Sequence, residues 1–171
     1  MILAEKDQTT RYLISVDAAK CNGCRICEMV CSLSHTGACW PERSKLRVVS
    51  EEVDGGTDSV PILCMQCEIP ACRLACPTGA TFEGGPAGAR LVAAEKCIGC
   101  SACVWACPFG ASALDPATRV AHRCDLCEGD PLCVKHCPTG ALRYIQEDKL
   151  GSVTQRRKSE AFFNLQQMIR G

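Results

Sequence analysis

Sixteen of the seventeen cysteines in this 171-residue chain fall into four groups of four, and no other feature constrains the fold as tightly. The first group reads Cys21-x2-Cys24-x2-Cys27-x3-Cys31, and the second reads Cys64-x2-Cys67-x4-Cys72-x3-Cys76-Pro77. The third is Cys97-x2-Cys100-x2-Cys103-x3-Cys107-Pro108, and the fourth is Cys124-x2-Cys127-x5-Cys133-x3-Cys137-Pro138. Cys39 alone is left over. A cysteine content near one residue in ten belongs either to a disulfide scaffold or to a metal protein. Met1–Gln8 carries Glu5 and Asp7 without a basic or long apolar run, so it does not read as a signal peptide, and a cytoplasmic location is expected. In a reducing compartment, cysteines at this density are better explained as metal ligands than as disulfides.

Composition removes several other classes. No stretch approaches the ~20 apolar residues that a membrane span requires, and no direct membrane span is expected. Nineteen basic residues balance nineteen acidic ones, and aromatic residues make up only 5%. A nucleic-acid binder would show a basic excess and stacking rings. Large apolar side chains are too few for an ordinary core, so metal binding is expected to contribute folding free energy. Gly84–Gly88 lies between two cysteine groups and lacks the strand–turn–helix setting of a dinucleotide fingerprint. No Ser/His/Asp arrangement stands out. The chain is therefore expected to carry no catalytic residues and no substrate site of its own.

The spacing within the groups has a chemical reason. The first and third match the run C-x2-C-x2-C-x3-C of bacterial ferredoxins. Three cysteines two residues apart on a wrapping loop ligate three irons of one cubane, while the fourth lies a helical turn onward and ligates the other cluster of a pair. Gly23, Gly99, Ala102 and Ala106 are small enough to let backbone amides approach inorganic sulfur. Zinc sites instead separate two C-x2-C pairs by a longer interval. Four runs of four, three ending in Cys-Pro, point to four [4Fe–4S] clusters.

A fourth cysteine that crosses over requires the groups to work in pairs. Groups two and three enclose a short hairpin, with Ala80–Phe82 and Ala89–Val92 flanking Gly84-Gly85-Pro86-Ala87-Gly88. Groups one and four then pair around them, closed by strands at Tyr12–Val16 and Leu142–Ile145. Spacing also permits a linear scheme in which group one pairs with two and three with four.

Residues 11–146 resemble the four-cluster iron–sulfur subunits that accompany molybdenum and tungsten oxidoreductases, hydrogenases and carbon monoxide dehydrogenases. The matching stretches are CNGCRICEMVCSLSHTG, WPERSKLRV, CMQCEIPACRLACPTGA, CIGCSACVWACPFGA and CDLCEGDPLCVKHCPTGAL. The chain looks most like the small subunits paired with tungsten-containing aldehyde oxidoreductases. The resemblance implies a nested pairing. One cluster would take Cys21, Cys24, Cys27 and Cys137, and its partner Cys124, Cys127, Cys133 and Cys31. The inner pair would take Cys64, Cys67, Cys72 with Cys107, and Cys97, Cys100, Cys103 with Cys76. Ser32 departs from the pattern, standing where the other groups have proline.

The expected fold is α+β, with two nested ferredoxin-like modules built from short hairpins and helices. Residues 1–60 with 110–150 form the outer module, residues 61–109 the inner one, and residues 151–171 a C-terminal docking helix. That helix shows Ser152-x-x-Gln155 as a capping box and Ala161, Phe162, Leu165, Met168 and Ile169 at helical spacing. The expected partners are a catalytic metalloenzyme subunit of molybdenum- or tungsten-pterin type and a further redox protein. A second copy of this chain, docked head to tail through the terminal helix, is an alternative occupant.

Lys20, Lys96 and Arg123 each directly precede a group, where a cation favours the reduced cluster. His35, His122 and His136 are read as loop or surface residues rather than ligands. Trp105 and Phe109 are expected to shield a cluster from water, and Cys39 to be a small buried apolar residue.

Overall fold

A computed structural model describes residues 11–147. In chain order these form β1 (Tyr12–Val16), α1 (Ile26–Thr36), β2 (Leu46–Val53), β3 (Gly56–Leu63), α2 (Ala71–Leu74), β4 (Thr81–Gly84), β5 (Ala89–Val92), α3 (Ala102–Trp105), β6 (Ala113–Leu114), β7 (Ala121–His122), α4 (Leu132–Lys135) and β8 (Leu142–Gln146). The expected terminal helix, residues 151–171, lies outside the described residues.

Proline decides where the helices stop. The helices α2, α3 and α4 have four residues each, and each ends just before a Cys-Pro step at Pro77, Pro108 or Pro138. A residue preceding proline is disfavoured in the α region, so these helices cannot run on through Cys76, Cys107 and Cys137. Group one has Ser32 instead, and α1 continues for 11 residues to a left-handed cap at Gly37. Ser32 is fully buried; its Oγ donates to the Met29 carbonyl at 2.9 Å and accepts from the Trp40 amide at 3.1 Å. The change from proline thus lengthens one helix and anchors the connection that follows it.

Four two-stranded antiparallel ladders tie the loops together. The strands β1 and β8 pair from Tyr12↔Gln146 to Val16↔Leu142, joining chain segments some 130 residues apart. The helix α1 packs on α4, and α2 packs on α3. The inner hairpin β4–β5 forms with Thr81↔Val92, one residue later at its start than the composition suggests. The longest ladder, β2–β3, was not foreseen. It turns at Asp54-Gly55, a pair suited to a two-residue hairpin, with Gly55 at φ 96°. Leu46, Val48 and Leu63 project from it into the core.

Cysteines make up much of that core. Cys27, Cys31, Cys64, Cys124 and Cys133 share the main buried cluster with Ile14, Leu46, Val48, Leu63, Leu126 and Leu142 among others. Glu28 is buried with them and accepts the Val48 amide at 2.8 Å, which fixes α1 to β2. No helix among the described residues is long and apolar enough to cross a membrane.

Candidate metal centres

The cysteine loops wrap because their backbones enter the left-handed region. Among the described residues, six of the seven non-glycine residues with positive φ lie within the four runs: Arg25, Gln66, Ser101, Leu126, Cys127 and Glu128. An L-residue there costs roughly 1–2 kcal/mol, and such strain persists only where the surroundings over-determine it. Gly23 and Gly99 add two more left-handed positions. A Cβ at Gly99 would sit 2.8 Å from the Arg119 carbonyl oxygen, and one at Gly23 would sit 2.7 Å from Ser59 Oγ. Both glycines therefore admit protein atoms from elsewhere in the chain, a reason for them that the motif does not reveal.

The loops enclose three partly open cavities of similar size. One of about 380 Å³ is lined by Cys64, Cys67, Cys72 and Cys107. A second of about 320 Å³ is lined by Cys76, Cys97, Cys100 and Cys103, and a third of about 300 Å³ by Cys21, Cys24, Cys27 and Cys137. Each unites three cysteines of one run with the last cysteine of another. Cys31, Cys124, Cys127 and Cys133 also lie near one another. Burial pushes the Cys133 thiol up to about 12, and Cys31 and Cys127 add to the rise. Burial likewise raises Cys124, with Cys133 contributing.

The donor chemistry fits a cationic, sulfur-loving metal group. Burial lifts Cys27 to about 12 and Cys64 to about 11, so these thiols ionise at neutral pH only against a metal. The last cysteines of three runs, Cys31, Cys76 and Cys137, behave differently and lie below the ordinary thiol value. At Cys31 burial is outweighed by hydrogen bonds from His35 and the Lys45 amide. Burial pulls Cys76 upward, but the Thr78 hydroxyl and nearby backbone amides outweigh it and bring the thiol to about 7. At Cys137 burial is likewise outweighed, by the Leu142 amide and the Thr139 hydroxyl. Backbone amides also reach sulfur: Lys45 to Cys31, Ala111 to Cys107 and Ala121 to Cys97, each at 3.4 Å. Hydrogen bonds of this kind tune iron–sulfur potentials.

An ion network borders Cys31. His35 Nδ1 donates to the Cys31 carbonyl at 2.7 Å, and Nε2 donates to Asp125 at 3.1 Å. Lys45 Nζ reaches the same carboxylate at 2.5 Å. The Asp125 bond raises His35 to about 10, so the ring is protonated at neutral pH. His35, Asp125 and Cys127 place ligand atoms within 4.8 Å of one another. The two Asp125 contacts show the histidine acting as a cation toward a carboxylate, and it stands in the last turn of α1 rather than in a loop as expected. Lys45 was missed because it belongs to no cysteine motif, and Asp125 because it fills one of the unspecified positions of Cys124-x2-Cys127. Gln66, also missed, is buried inside run two. Its Nε2 donates to the Cys124 carbonyl and its Oε1 accepts the Arg90 amide, both at 2.8 Å.

The remaining candidates divide sharply by burial. Lys20 and Lys96 are exposed, and Lys20 pairs with Asp17, whereas Arg123 is buried. Trp105 is 87% exposed, so it does not shield a cluster in this chain; Phe109 is half exposed and lines the cavity of Cys64. Cys39 is exposed, contrary to the expectation of a small buried residue. It lies in the connection beyond α1, where no core surface receives it. His136 is exposed and bonds the Leu132 carbonyl.

Left-handed cysteine loops around thiol quartets define an iron–sulfur protein of ferredoxin type. A family model described as a 4Fe-4S dicluster domain matches residues 57–147, and one described as a 4Fe-4S binding domain matches residues 13–38. The chain belongs to this 4Fe-4S dicluster family, binds multiple [4Fe–4S] clusters and is an electron-transfer protein. It is 44% identical to the aliphatic sulfonate oxidoreductase, polyferredoxin-like subunit, of Pyrococcus furiosus, over 74% of this chain and 72% of that one. It is 35% identical to the electron transport protein HydN of Escherichia coli, over 90% of this chain and 99% of that one. It is 38% identical to the NADH-dependent phenylglyoxylate dehydrogenase subunit beta of Aromatoleum evansii over 77% of this chain, and spans only 30% of that protein.

Proposed function

We propose that this chain is the relay subunit of an oxidoreductase complex, carrying single electrons through four [4Fe–4S] clusters between a catalytic partner and a further redox protein. The observation that carries the reading is the make-up of the cavities, each lined by three cysteines of one run and the last of another. That composition favours nested pairing over the linear scheme. The sixteen ligands are then Cys21, Cys24, Cys27 with Cys137; Cys124, Cys127, Cys133 with Cys31; Cys64, Cys67, Cys72 with Cys107; and Cys97, Cys100, Cys103 with Cys76. Residues 1–60 with 110–150 make the outer module and residues 61–109 the inner one. Each cubane, when bound, takes up or gives one electron.

The quartets approach one another in a series. Cys27 is among the charges that raise Cys133, Cys64 among those that raise Cys124, and Cys103 among those that raise Cys72, burial being the largest cause in each. These neighbours support a path from the Cys21 site to the Cys133 site, then to the Cys64 site and the Cys97 site. Gln66 spans the middle step between the modules.

The chain supplies no substrate chemistry in this reading; the partner does. A molybdenum- or tungsten-pterin subunit is the partner favoured by the family resemblance, with the terminal segment as a docking element. The relative from Pyrococcus furiosus, named as a subunit of a sulfonate oxidoreductase, supports a partner of oxidoreductase type. Anaerobic titration with a low-potential reductant tests the relay: the reconstituted chain takes up about four electrons, one per cubane. Uptake of about two would sink the four-cluster relay.

A further inference from the structure

The cavity of Cys64, Cys67, Cys72 and Cys107 differs from the other two in the charge and the free donors around it. Arg123 and Arg90 both line it, at 4% and 3% exposure. Arg123 Nη1 donates to Cys72 Sγ at 2.9 Å and Nη2 to Thr81 Oγ1 at 3.3 Å. Its Nε is buried without a partner, and so is Ser112 Oγ on the same cavity. These are two of only three such orphaned atoms among the described residues. Arg90 is partly committed elsewhere, pairing with Glu83 and donating Nε to the Cys67 carbonyl at 3.0 Å. Arg123 pairs with no carboxylate among the described residues.

A buried guanidinium without a counter-ion is strongly unfavourable, and a buried donor without an acceptor adds to the cost. An anionic cluster with sulfide acceptors in this cavity resolves both. The neighbouring cavity, of Cys76, Cys97, Cys100 and Cys103, has no charged side chain in its lining and meets Arg123 only through Thr81, whereas the Cys64 cavity has the guanidinium directly on a ligand sulfur. The cavity of Cys21 has Arg25, whose side chain is 56% exposed and so screened by water. The two members of the inner pair therefore sit in unlike electrostatic surroundings.

We propose that Arg123, assisted by Ser112, sets the reduction potential of the cluster at Cys64, Cys67, Cys72 and Cys107 above that of its neighbour at Cys76, Cys97, Cys100 and Cys103. This rests on the four-cluster reading above. Arg123 favours the state with one more electron because its fixed positive charge lies against a ligand sulfur. An electron that reduces this site by one leaves the neighbour oxidised by one, and Arg123 keeps its proton throughout. The Cys64 site becomes the place where an electron rests within the inner pair, and the Cys97 site an uphill step beyond it.

Potentiometric titration of the full chain, followed by electron paramagnetic resonance, tests the proposal. The variants are Arg123→Met, Arg123→Lys and Ser112→Ala, with exposed Lys96→Met as control. Arg123→Met should lower one midpoint by tenfold or more in its reduction equilibrium, which is 59 mV for a one-electron couple. Ser112→Ala should lower the same midpoint by about threefold, the weight of one hydrogen bond. Arg123→Lys should keep most of the potential, and Lys96→Met, at an exposed position screened by water, should move a midpoint far less than Arg123→Met does. Cys107→Ser identifies the site, because the midpoint that it alters must be the one that Arg123 controls. Midpoints unmoved by both Arg123→Met and Ser112→Ala, with wild-type iron near sixteen per chain, overturn the proposal and leave the four-cluster reading standing. A shifted midpoint that Cys107→Ser does not alter overturns it as well. If Arg123→Met loses iron, Ser112→Ala decides alone, and no shift there overturns the proposal. Wild-type iron near eight per chain overturns the four-cluster reading and this inference with it.

Discussion

Replacing Cys137 with alanine costs the chain one outer cluster, lowering iron from about sixteen to about twelve per chain, and leaves the inner pair intact. Cys137 lies more than a hundred residues beyond Cys21, Cys24 and Cys27, yet lines the same cavity. Burial draws its thiol upward, but the Leu142 amide and the Thr139 hydroxyl hold it below the usual thiol range, as suits a ligand thiolate. The pairing of β1 with β8 keeps this alignment, since Leu142 is paired with Val16 just ahead of run one. Under linear pairing Cys137 would serve the third run, and the cluster at Cys97, Cys100 and Cys103 would be lost instead. Spectroscopy of Cys137→Ala beside Cys97→Ala separates the two schemes: nesting predicts that different clusters vanish, one from each module, whereas linear pairing predicts that the same cluster vanishes in both.

Stripping the iron anaerobically should unfold the chain rather than leave an empty scaffold. The buried cluster that forms the core draws Cys27, Cys31, Cys64, Cys124 and Cys133 into the company of a few aliphatic residues. Without metal, burial keeps Cys27, Cys64 and Cys133 protonated near neutral pH, and the three cavities lose whatever fills them. Left-handed residues in the loops lose the ligation that holds them. Metal binding energy is then folding energy. Amide hydrogen exchange read before and after chelation should show protection collapsing across all four runs together. Protection retained in β1, β8 and α1 after complete iron loss would contradict this.

How much was legible in the sequence depended on whether a residue's role lay in its own motif. Cysteine spacing disclosed the groups, and the proline after three of the four groups held a cue to short helices that cysteine spacing alone does not convey. The strands at 12–16 and 142–145 were legible as flanks of runs one and four, the second running one residue further, to Gln146, in the fold. The β2–β3 hairpin was not legible from the cysteine groups, although Asp54-Gly55 is a turn signal, because it lies in the long interval between runs one and two. The strands β6 and β7, only two residues each, carry no periodicity to detect. Asp125, Lys45 and Gln66 escaped because their partners are distant in sequence: Lys45 meets Asp125 across 80 residues, and Gln66 meets Cys124 across 58. Lys20, Lys96 and Arg123 looked equivalent as residues preceding a run. Only the fold distinguishes them, by burying Arg123 against Cys72 of a different run. Cys39 went the other way, since a spare cysteine in a cysteine-rich chain suggests a buried position, and the connection after α1 leaves it exposed.

Iron and acid-labile sulfide, measured per chain on anaerobically reconstituted protein, bear most directly on the central claim. Four cubanes on sixteen cysteines predict about sixteen of each. Values near eight would mean that one pair of quartets stays unfilled and would contradict the four-cluster relay, and zinc in place of iron would contradict the assignment of the metal itself.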